Sequence, residues 1–315
     1  MTCAQFRGYL FEKYISQLLN KNGFIQCEYD KDNYTSLNLA PCEIISQDYK
    51  IQGRGTRHQI DYVGIYKRNI PFVYPIRILV ECKYYIKGVY KSVIREFLGT
   101  YKDIEENYFY DQRDNRVRFL NVPILFSATT FQEEAINLAW VHGINTISYY
   151  KIPILKKYFS NIESFVDNNC RKNIDSEKAK KLQNEFLDKF PLPKLETFLF
   201  ATTERGLLIN LISTKSFPDE LFYERDENNC GIYFEENEGV RVFYLQFNDD
   251  KENRKFYFQV HKELLKKEFS SYSLDKRINM KLKYFRRLTL IKKINGIDRI
   301  IKLKVDFDSI KEFLK

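Results

Sequence analysis

A chain of 315 residues with a hydrophobic content of 44% and a charged content of 30% is typical of a folded globular protein of two domains, which excludes a disordered chain. No apolar run is long enough to span a membrane. The formal net charge of +9 favours a polyanionic partner, although AT-rich coding would also enrich the chain in lysine.

The first residues and the cysteines bear on the compartment. Met1 to Gln5 lack a basic stretch followed by an apolar core, so we expect no secretion signal. The six cysteines are scattered, and no Cys-x-x-Cys pair occurs among them. This spacing argues against a disulfide framework and against a structural zinc site. We therefore expect a cytoplasmic protein that does not contact a membrane.

The first predicted element is an amphipathic helix. Phe11, Ile15, Leu18 and Leu19 recur at helical spacing and form its apolar face. Glu12 lies at the edge of this face. Its carboxylate either leans over a sheet toward a cleft or is an ordinary solvated helix charge, and the spacing favours neither.

Residues 25–60 are irregular, apart from a short predicted strand at Cys42 to Ser46. A Gly-Arg-Gly-Thr-Arg-His run at their end places three candidate phosphate-binding side chains, Arg54, Arg57 and His58, before the next strand. Glycine lets the backbone approach a ligand closely. The alternative is a flexible basic hairpin loop with no role in binding.

The next two predicted strands carry an acidic residue and a Glu-x-Lys triplet. Asp61 lies in the first, and Glu81 and Lys83 lie in the second, Ile76 to Tyr85. Strands pack about 5 Å apart, so the three side chains can converge. The period of two puts Glu81 and Lys83 on one face and Cys82 on the other. Two carboxylates suit Mg²⁺, which polarises a phosphoryl oxygen and acidifies a bound water, while the lysine orients that water or offsets transition-state charge.

A Glu-x-Lys triplet on a strand is more often an ion pair on a solvated face. Here the apolar run Ile78-Leu79-Val80 leads directly into the charges, as in a buried central strand whose polar end opens onto a cleft. Charged groups in such a place need partners. The setting therefore favours a functional site.

The elements that follow alternate between helix and strand. The spacing predicts helices over residues 89–104 and 131–142, and strands over residues 117–127 and 144–150. Strand, helix and strand in this order indicate a right-handed crossover between parallel strands. The expected fold class is α/β.

With these motifs in order, residues 5–155 resemble the PD-(D/E)xK nuclease superfamily, in particular its Mrr-like restriction endonuclease domains. The resemblance rests on four stretches, which are Gly8 to Ile15 with its acidic Glu12, Gln59 to Asp61, Val80 to Lys83, and Ile124 to Ser127 followed by Phe131, Ala135 and Gly143-Ile144. Two departures from the family pattern are visible. No proline precedes Asp61, and many Mrr-like proteins carry Gln where this chain has Glu81.

The resemblance implies a restriction-endonuclease-like core, a mixed central sheet flanked by helices, and the activity of a metal-dependent endodeoxyribonuclease. It makes Asp61 and Glu81 ligands of Mg²⁺, with Mn²⁺ as a substitute. Lys83 would support the nucleophilic water, and Glu12 would be an outer or second-metal carboxylate. DNA is the implied substrate, and restriction or phage defence is the implied role. We expect a homodimer or higher homo-oligomer, because cutting both strands needs two sites.

Two alternatives remain open. One is a branched-DNA resolvase or repair nuclease, which shares the core of the superfamily. The other is a catalytically idle nucleic-acid-binding subunit of a larger complex. The intact Asp61, Glu81 and Lys83 argue against the second alternative.

The sequence predicts a nuclease domain over residues 1–166 and a helical connector over 167–194, with a helix from Ser176 to Phe190. Residues 195–315 are predicted to form a basic α+β domain for recognition, regulation or assembly, with a partner protein or an activating ligand as its target. Its predicted elements are strands at Val240–Phe247 and Lys255–Val260, a helix at His261–Phe269, and a hairpin turn at Asn295-Gly296.

The cationic residues are concentrated in residues 276–304, where eleven Lys and Arg residues face one acid, Asp298. Tyr284 and Phe285 lie among these charges, a mixture that suits contact with a phosphate backbone. The candidate binding residues are Lys281, Lys283, Arg286 and Arg287. The alternative is a solvated sheet face, or a sheet edge that lysines protect against aggregation.

Replacing the four candidate binding residues together by serine separates these readings. Phosphate contacts release counterions, so each contact contributes about 0.9 to the log–log slope of affinity against salt. We expect the variant to bind unrelated DNA sequences more weakly and with a slope shallower by several units, as measured by fluorescence anisotropy across a salt series. An unchanged affinity and slope would leave these charges the role of solubilising a sheet face.

Overall fold

The computed structural model describes residues 1–27, 50–67, 73–106, 119–170, 173–191, 193–219, 228–260 and 284–306. The chain forms two compact units. The N-terminal unit runs from Ala4 to Thr146, and the C-terminal unit combines Met1–Cys3 with Ile147–Lys315. The predicted domains, 1–166, 167–194 and 195–315, divide the chain at later positions.

The N-terminal unit is built around one mixed sheet with helices. Its elements are α1 (Cys3–Lys21), β1 (Phe24–Gln26), β2 (Lys50–Gln52), β3 (Arg57–Gln59), β4 (Tyr62–Tyr66), β5 (Ile76–Lys83), α2 (Lys91–Glu105), β6 (Leu120–Ser127), α3 (Glu133–Val141) and β7 (Asn145–Ser148). The five-stranded sheet has the order β1-β4-β5-β6-β7, while β2 and β3 form a separate two-stranded sheet. The boundary between the two units falls within β7. The predicted mixture of helices with a mixed sheet is confirmed, whereas the strand predicted at Cys42 to Ser46 lies outside the described residues.

Strand β5 is the centre of this sheet. It pairs with β4 in antiparallel register, Tyr62 opposite Val80, and with β6 in parallel register, Lys83 opposite Ser127. Leu79 and Val80 are completely buried because apolar residues cover both faces of a central strand. Apart from Arg77, whose Nε donates a hydrogen bond to Asn121, the charged residues of β5 are Glu81 and Lys83 at its end, where the strand reaches the edge of the core.

Helix α1 packs its apolar face into the core, as the spacing predicts. The residues it buries are Phe6, Leu10, Phe11, Tyr14, Ile15, Ser16, Leu18 and Leu19. Helices α2 and α3 each begin two residues later than predicted, after Tyr90 and Gln132, which have extended backbones as N-cap residues. Within the described ranges, no helix combines the length and the hydropathy that crossing a membrane would require.

In the residues that the structure describes, the C-terminal unit contains two helices and a barrel. Its elements are α4 (Pro153–Asn169), α5 (Ser176–Lys189), β8 (Thr197–Thr203), β9 (Leu208–Ser213), β10 (Asn228–Asn237), β11 (Val240–Phe247), β12 (Phe256–Phe258), β13 (Arg287–Ile294) and β14 (Ile297–Val305). The strands close into a seven-stranded barrel of order β10-β11-β12-β9-β8-β13-β14. Closure occurs where β10 pairs with β14 in parallel, Asn228 opposite Leu303. A closed barrel is more specific than the α+β arrangement expected from the sequence, and the helix predicted at His261–Phe269 lies outside the described residues.

The hairpin predicted at Asn295-Gly296 is confirmed. Strands β13 and β14 pair from Arg287 opposite Lys304 to Ile294 opposite Ile297. Asn295 and Gly296 both have positive φ, 51° and 83°. Two successive positive φ values match the right-handed twist of the flanking strands, and Asn-Gly reaches them at the lowest steric cost.

Helix α4 is not among the predicted elements, although its sequence carries the signals of a helix. Pro153 occupies the first turn, and the buried residues recur three and four positions apart. They are Leu155, Tyr158, Ile162, Phe165 and Val166. Helix α5 matches its prediction, and Asp175 caps it by accepting a hydrogen bond from the N–H of Lys178 at 2.7 Å.

A disulfide bond joins Cys3 to Cys170 within the C-terminal unit. The sequence argument against disulfides is wrong for this pair. That argument rested on the absence of closely spaced cysteines, whereas these partners are 167 positions apart in the chain. The cytoplasmic location stays a prediction.

Candidate active site

Asp61 lies between β3 and β4 and is tied directly to β5. Its Oδ2 accepts a hydrogen bond of 2.7 Å from the backbone N–H of Cys82. Cys82 stands between Glu81 and Lys83 in the chain. The antiparallel pairing of β4 with β5 therefore brings the carboxylate of Asp61 to the polar end of the central strand.

Glu81 and Lys83 share one face of β5 and form an ion pair, in which Lys83 Nζ donates a hydrogen bond to Glu81 Oε1. Their side chains are 19% and 22% exposed. Cys82 points to the opposite face and is buried. This alternation follows from the period of two along a strand, and it leaves the ion pair at the rim of the core, where solvent still reaches it.

Helix α1 brings Glu12 into the electrostatic field of this pair. Burial and, next to it, the charge of Glu81 raise the pKa of Glu12 from 4.5 to about 7. The positive charges of Lys83 and Lys13 oppose the shift. Glu12 is half-buried, and its role in the site stays a prediction.

The charges of the cluster do not balance. Burial raises the pKa of Asp61 well above its usual range, as do the charges of Glu81 and Glu12, against the opposing hydrogen bond from Cys82. Burial alone would lower the pKa of Lys83, but the ion pair with Glu81 and the charge of Asp61 raise it instead. Three carboxylates share one ammonium group, so the fully ionised cluster carries an excess of negative charge.

This donor set fits a hard divalent cation by its chemistry. Carboxylate oxygens are the ligands that Mg²⁺ prefers, and a cation would relieve the repulsion that now favours protonation of Glu12 and Asp61. Among the residues that the structure describes, no three His, Cys, Asp or Glu side chains are already gathered at metal-ligand spacing. Glu81 is turned to Lys83 and Asp61 to Cys82. Binding a metal would therefore require these side chains to turn toward a common centre.

The loop before Asp61 is held by an acidic residue that sequence reasoning missed. His58 Nε2 lies 2.6 Å from Asp103 Oδ2 in α2. The other carboxylate oxygen of Asp103 accepts a hydrogen bond of 2.8 Å from the N–H of Gly55. A Cβ at Gly53 would collide with the same carboxylate, which explains the glycine there. The sequence carries no local signal for this contact, because Asp103 is 45 positions from His58.

These contacts alter the reading of the predicted phosphate-binding residues. His58 is paired with Asp103, whose pKa is lowered by hydrogen bonds from His58 and the loop backbone despite the opposing effect of burial. Arg54 forms an ion pair of 3.1 Å with Glu106. Two of the three predicted phosphate-binding side chains thus have acidic partners, Asp103 in α2 and Glu106 at its C-cap, which makes them less available to a phosphate. Arg57 is exposed on β3, and its role stays a prediction.

The basic segment of the C-terminal unit is described from Tyr284 onward, so Lys281 and Lys283 lie outside the described residues. Arg286 and Arg287 are exposed, and Arg287 lies 3.6 Å from Glu204. The reading of Tyr284 and Phe285 as aromatics for phosphate contact is wrong. Both are buried in the core of the barrel.

The outward face of the β13–β14 hairpin juxtaposes cations. Arg287 stands directly opposite Lys304, and Lys302 opposite Thr289. All four side chains are exposed. Like charges opposite one another destabilise a sheet by a few tenths of a kcal/mol or more. Within this pair, Glu204 supplies Arg287 with an acidic partner at 3.6 Å.

No protein-family model matches the chain, and no curated protein matches it. A solved structure described as "Crystal Structure of Protein of Unknown Function AF1548" is similar to it, with a TM-score of 0.30 and a sequence identity of 17%. The similarity covers 57% of this chain and 97% of that chain. At this TM-score the likeness carries no argument about fold or activity.

The raised pKa of Glu12 predicts a pH dependence of stability in metal-free buffer. Between pH 4.5 and about 7 the folded protein holds a proton on Glu12 that the unfolded chain has released. The free energy of unfolding should therefore fall as the pH rises through this window, by at most about 1.4 kcal/mol per pH unit for one proton. Urea denaturation at a series of pH values in EDTA measures it.

Glu12→Gln should flatten this profile, leaving the slope that Asp61 contributes in the same direction. The control is Glu96→Gln, which changes an exposed carboxylate of α2. A wild-type slope in the Glu12 variant would return Glu12 to the role of a solvated helix charge.

Proposed function

We propose that this protein is a metal-dependent endonuclease that hydrolyses DNA phosphodiester bonds at the cluster of Asp61, Glu81, Lys83 and Glu12. The observation that carries the proposal is the hydrogen bond from the N–H of Cys82 to Asp61, immediately beside the Glu81–Lys83 ion pair. It joins an acid from one segment to a Glu-x-Lys triplet at the end of a buried strand. The sequence motif alone leaves this convergence undecided.

The finer fold belongs to the same proposal. A restriction-endonuclease-like core has a mixed central sheet flanked by helices, and β5 here has an antiparallel neighbour in β4 and a parallel neighbour in β6. The order of helix, antiparallel hairpin, helix, strand, helix and strand supports this assignment. Restriction or phage defence, and a homodimer that supplies two active sites, follow from the resemblance.

The residues would divide the work as follows. Asp61 and Glu81 would hold Mg²⁺, with Glu12 as an outer carboxylate. Bound Mg²⁺ supplies a polarised phosphoryl oxygen and an acidified water. Lys83 would present a positive charge to the water and to the developing charge of the phosphate, whether or not its hydrogen bond to Glu81 is kept. The buried, low-dielectric side of the cluster strengthens these interactions.

Alanine substitutions at the cluster test the activity. We expect Asp61→Ala, Glu81→Ala and Lys83→Ala each to lower the rate of plasmid cleavage in Mg²⁺ by at least about a hundredfold, since each removes a charge that acts in the transition state. Circular dichroism should show that the fold is retained. The matched controls are Glu96→Ala and Lys102→Ala, which remove exposed charges of α2 and should cleave at the wild-type rate.

EDTA should abolish cleavage by the wild-type protein, and Glu12→Gln should raise the Mg²⁺ concentration needed for half-maximal activity. Parallel assays on linear duplex and on four-way junctions distinguish a restriction nuclease from a resolvase. Wild-type cleavage by the Asp61→Ala protein would sink the assignment, as would cleavage that survives EDTA.

A further inference from the structure

The loop that joins β5 to α2 exposes three large side chains beside the candidate active site. It runs from Tyr84 to Tyr90 and starts at the residue after Lys83. Tyr85 is 40% exposed, Ile86 is 88% exposed and Tyr90 is 43% exposed. Single exposed apolar residues are common on protein surfaces, whereas here a bare isoleucine stands between two exposed aromatic rings in one short segment.

Both ends of this loop are fixed. At its start, the ring of Tyr84 meets Phe11 of α1 edge-on, with centroids 5.9 Å apart, and the guanidinium of Arg7 lies 6.0 Å from the ring of Tyr84. At its end, Val89 is completely buried and forms a bridge with Phe131. The exposed residues of the loop therefore lie between two fixed positions, Tyr84 and Val89.

The hydrogen bonds of the bridge show how closely the loop is held. The N–H of Val89 donates to Thr130 O at 2.8 Å, and the N–H of Gln132 donates to Val89 O at 2.9 Å. A Cβ on Gly88 would lie 3.2 Å from the carbonyl and hydroxyl oxygens of Thr130. Glycine therefore favours this close approach, since a larger residue would push Thr130 away by a few tenths of an ångström.

Two observations connect the tip with the site. Tyr85 follows Lys83 by only two positions in the chain, at the point where β5 has ended. Lys87 and Lys91 flank the apolar residues and are exposed, and Lys91 lies 3.5 Å from Glu134. The loop therefore places two exposed lysines and three exposed apolar or aromatic side chains within eight positions of Lys83 in the chain. In the described structure α2 also begins without a side-chain cap, and its first turn contains no acid.

We propose that Ile86 is a wedge that enters the base stack of bound DNA next to the scissile phosphate, with Tyr85 and Tyr90 stacking on the separated bases. Lys87 and Lys91 would contact the flanking phosphates. This inference rests on the proposed nuclease function, because it takes the substrate of the Asp61–Glu81–Lys83 cluster to be DNA. Apolar wedges unstack base steps in other DNA-binding proteins, and aromatic rings stack on bases of any sequence.

A wedge at this position also predicts which class of DNA the protein prefers. Separating two stacked bases opposes binding, whereas covering an exposed isoleucine and stacking two tyrosines favours it. A base step that is already open, at a mismatch or an unpaired base, removes the opposing contribution. The protein should therefore bind such DNA more tightly than a perfect duplex, and a loop fixed before binding loses little conformational freedom in doing so.

Fluorescence of an aminopurine-labelled duplex tests the wedge in EDTA, where no cleavage occurs under the proposed mechanism. Wild-type protein should raise the fluorescence by unstacking the probe and should bind a mismatched duplex about tenfold more tightly than a matched one. Ile86→Ser should lose both effects, and Ile86→Leu should retain them. The control is Val141→Ser, because Val141 is an apolar residue that is 76% exposed. It ends α3, about 13 Å along the helix from Gln132, which bonds to Val89 of the loop.

The outcomes separate this inference from the proposed function. Unstacking that depends on Ile86 supports the wedge even if no variant cleaves DNA, which would overturn the nuclease proposal alone. Cleavage that requires Asp61, without any fluorescence change or mismatch preference, overturns the wedge alone. Unchanged unstacking in Ile86→Ser also overturns it, and the exposed position of Ile86 makes misfolding of that variant detectable by an altered unfolding midpoint.

Discussion

The hydrogen bond between the N–H of Cys82 and the carboxylate of Asp61 is the contact on which the candidate site depends. It fixes an acid that precedes β4 against the end of β5, where Glu81 and Lys83 already face the same side. Burial then acts on all the charges together, raising the pKa of Asp61 and of Glu12. The excess of negative charge that disfavours ionised carboxylates in this cluster is what a bound cation would offset, so the proposed site opposes the stability of the metal-free protein.

Local patterns predicted the parts of the fold that local physics determines. The alternation along Glu81-Cys82-Lys83, the apolar face of α1 and the Asn-Gly turn after β13 all depend on residues within a few positions of one another. Contacts between distant residues were not predictable in this way. The pairing of His58 with Asp103 and the disulfide between Cys3 and Cys170 depend on tertiary structure alone. Helix α4 is the exception, since the spacing of its buried residues and Pro153 in its first turn are local signals of a helix.

The barrel shows how composition misleads when burial is unknown. Tyr284 and Phe285 stand among basic residues in the sequence, yet they precede β13 and fill the core, while Arg287 on β13 and Lys302 and Lys304 on β14 are exposed. Alternation along β14 separates its exposed lysines from the buried Ile301, Leu303 and Val305. The aromatic content of this unit therefore serves packing, and its cationic content is left for the surface.

The parallel pairing that closes the barrel has a consequence for how the chain reaches its fold. Asn228 on β10 pairs with Leu303 on β14. One edge of β10 therefore stays unpaired until β14, which is synthesised much later, has formed. Contacts of such long sequence separation slow folding, and an unpaired edge is open to other chains in the meantime. The lysines of β14 lie on the strand that finally covers this edge. A chain truncated before β14 would leave this edge of β10 unpaired and the barrel open, and such an edge is prone to aggregation.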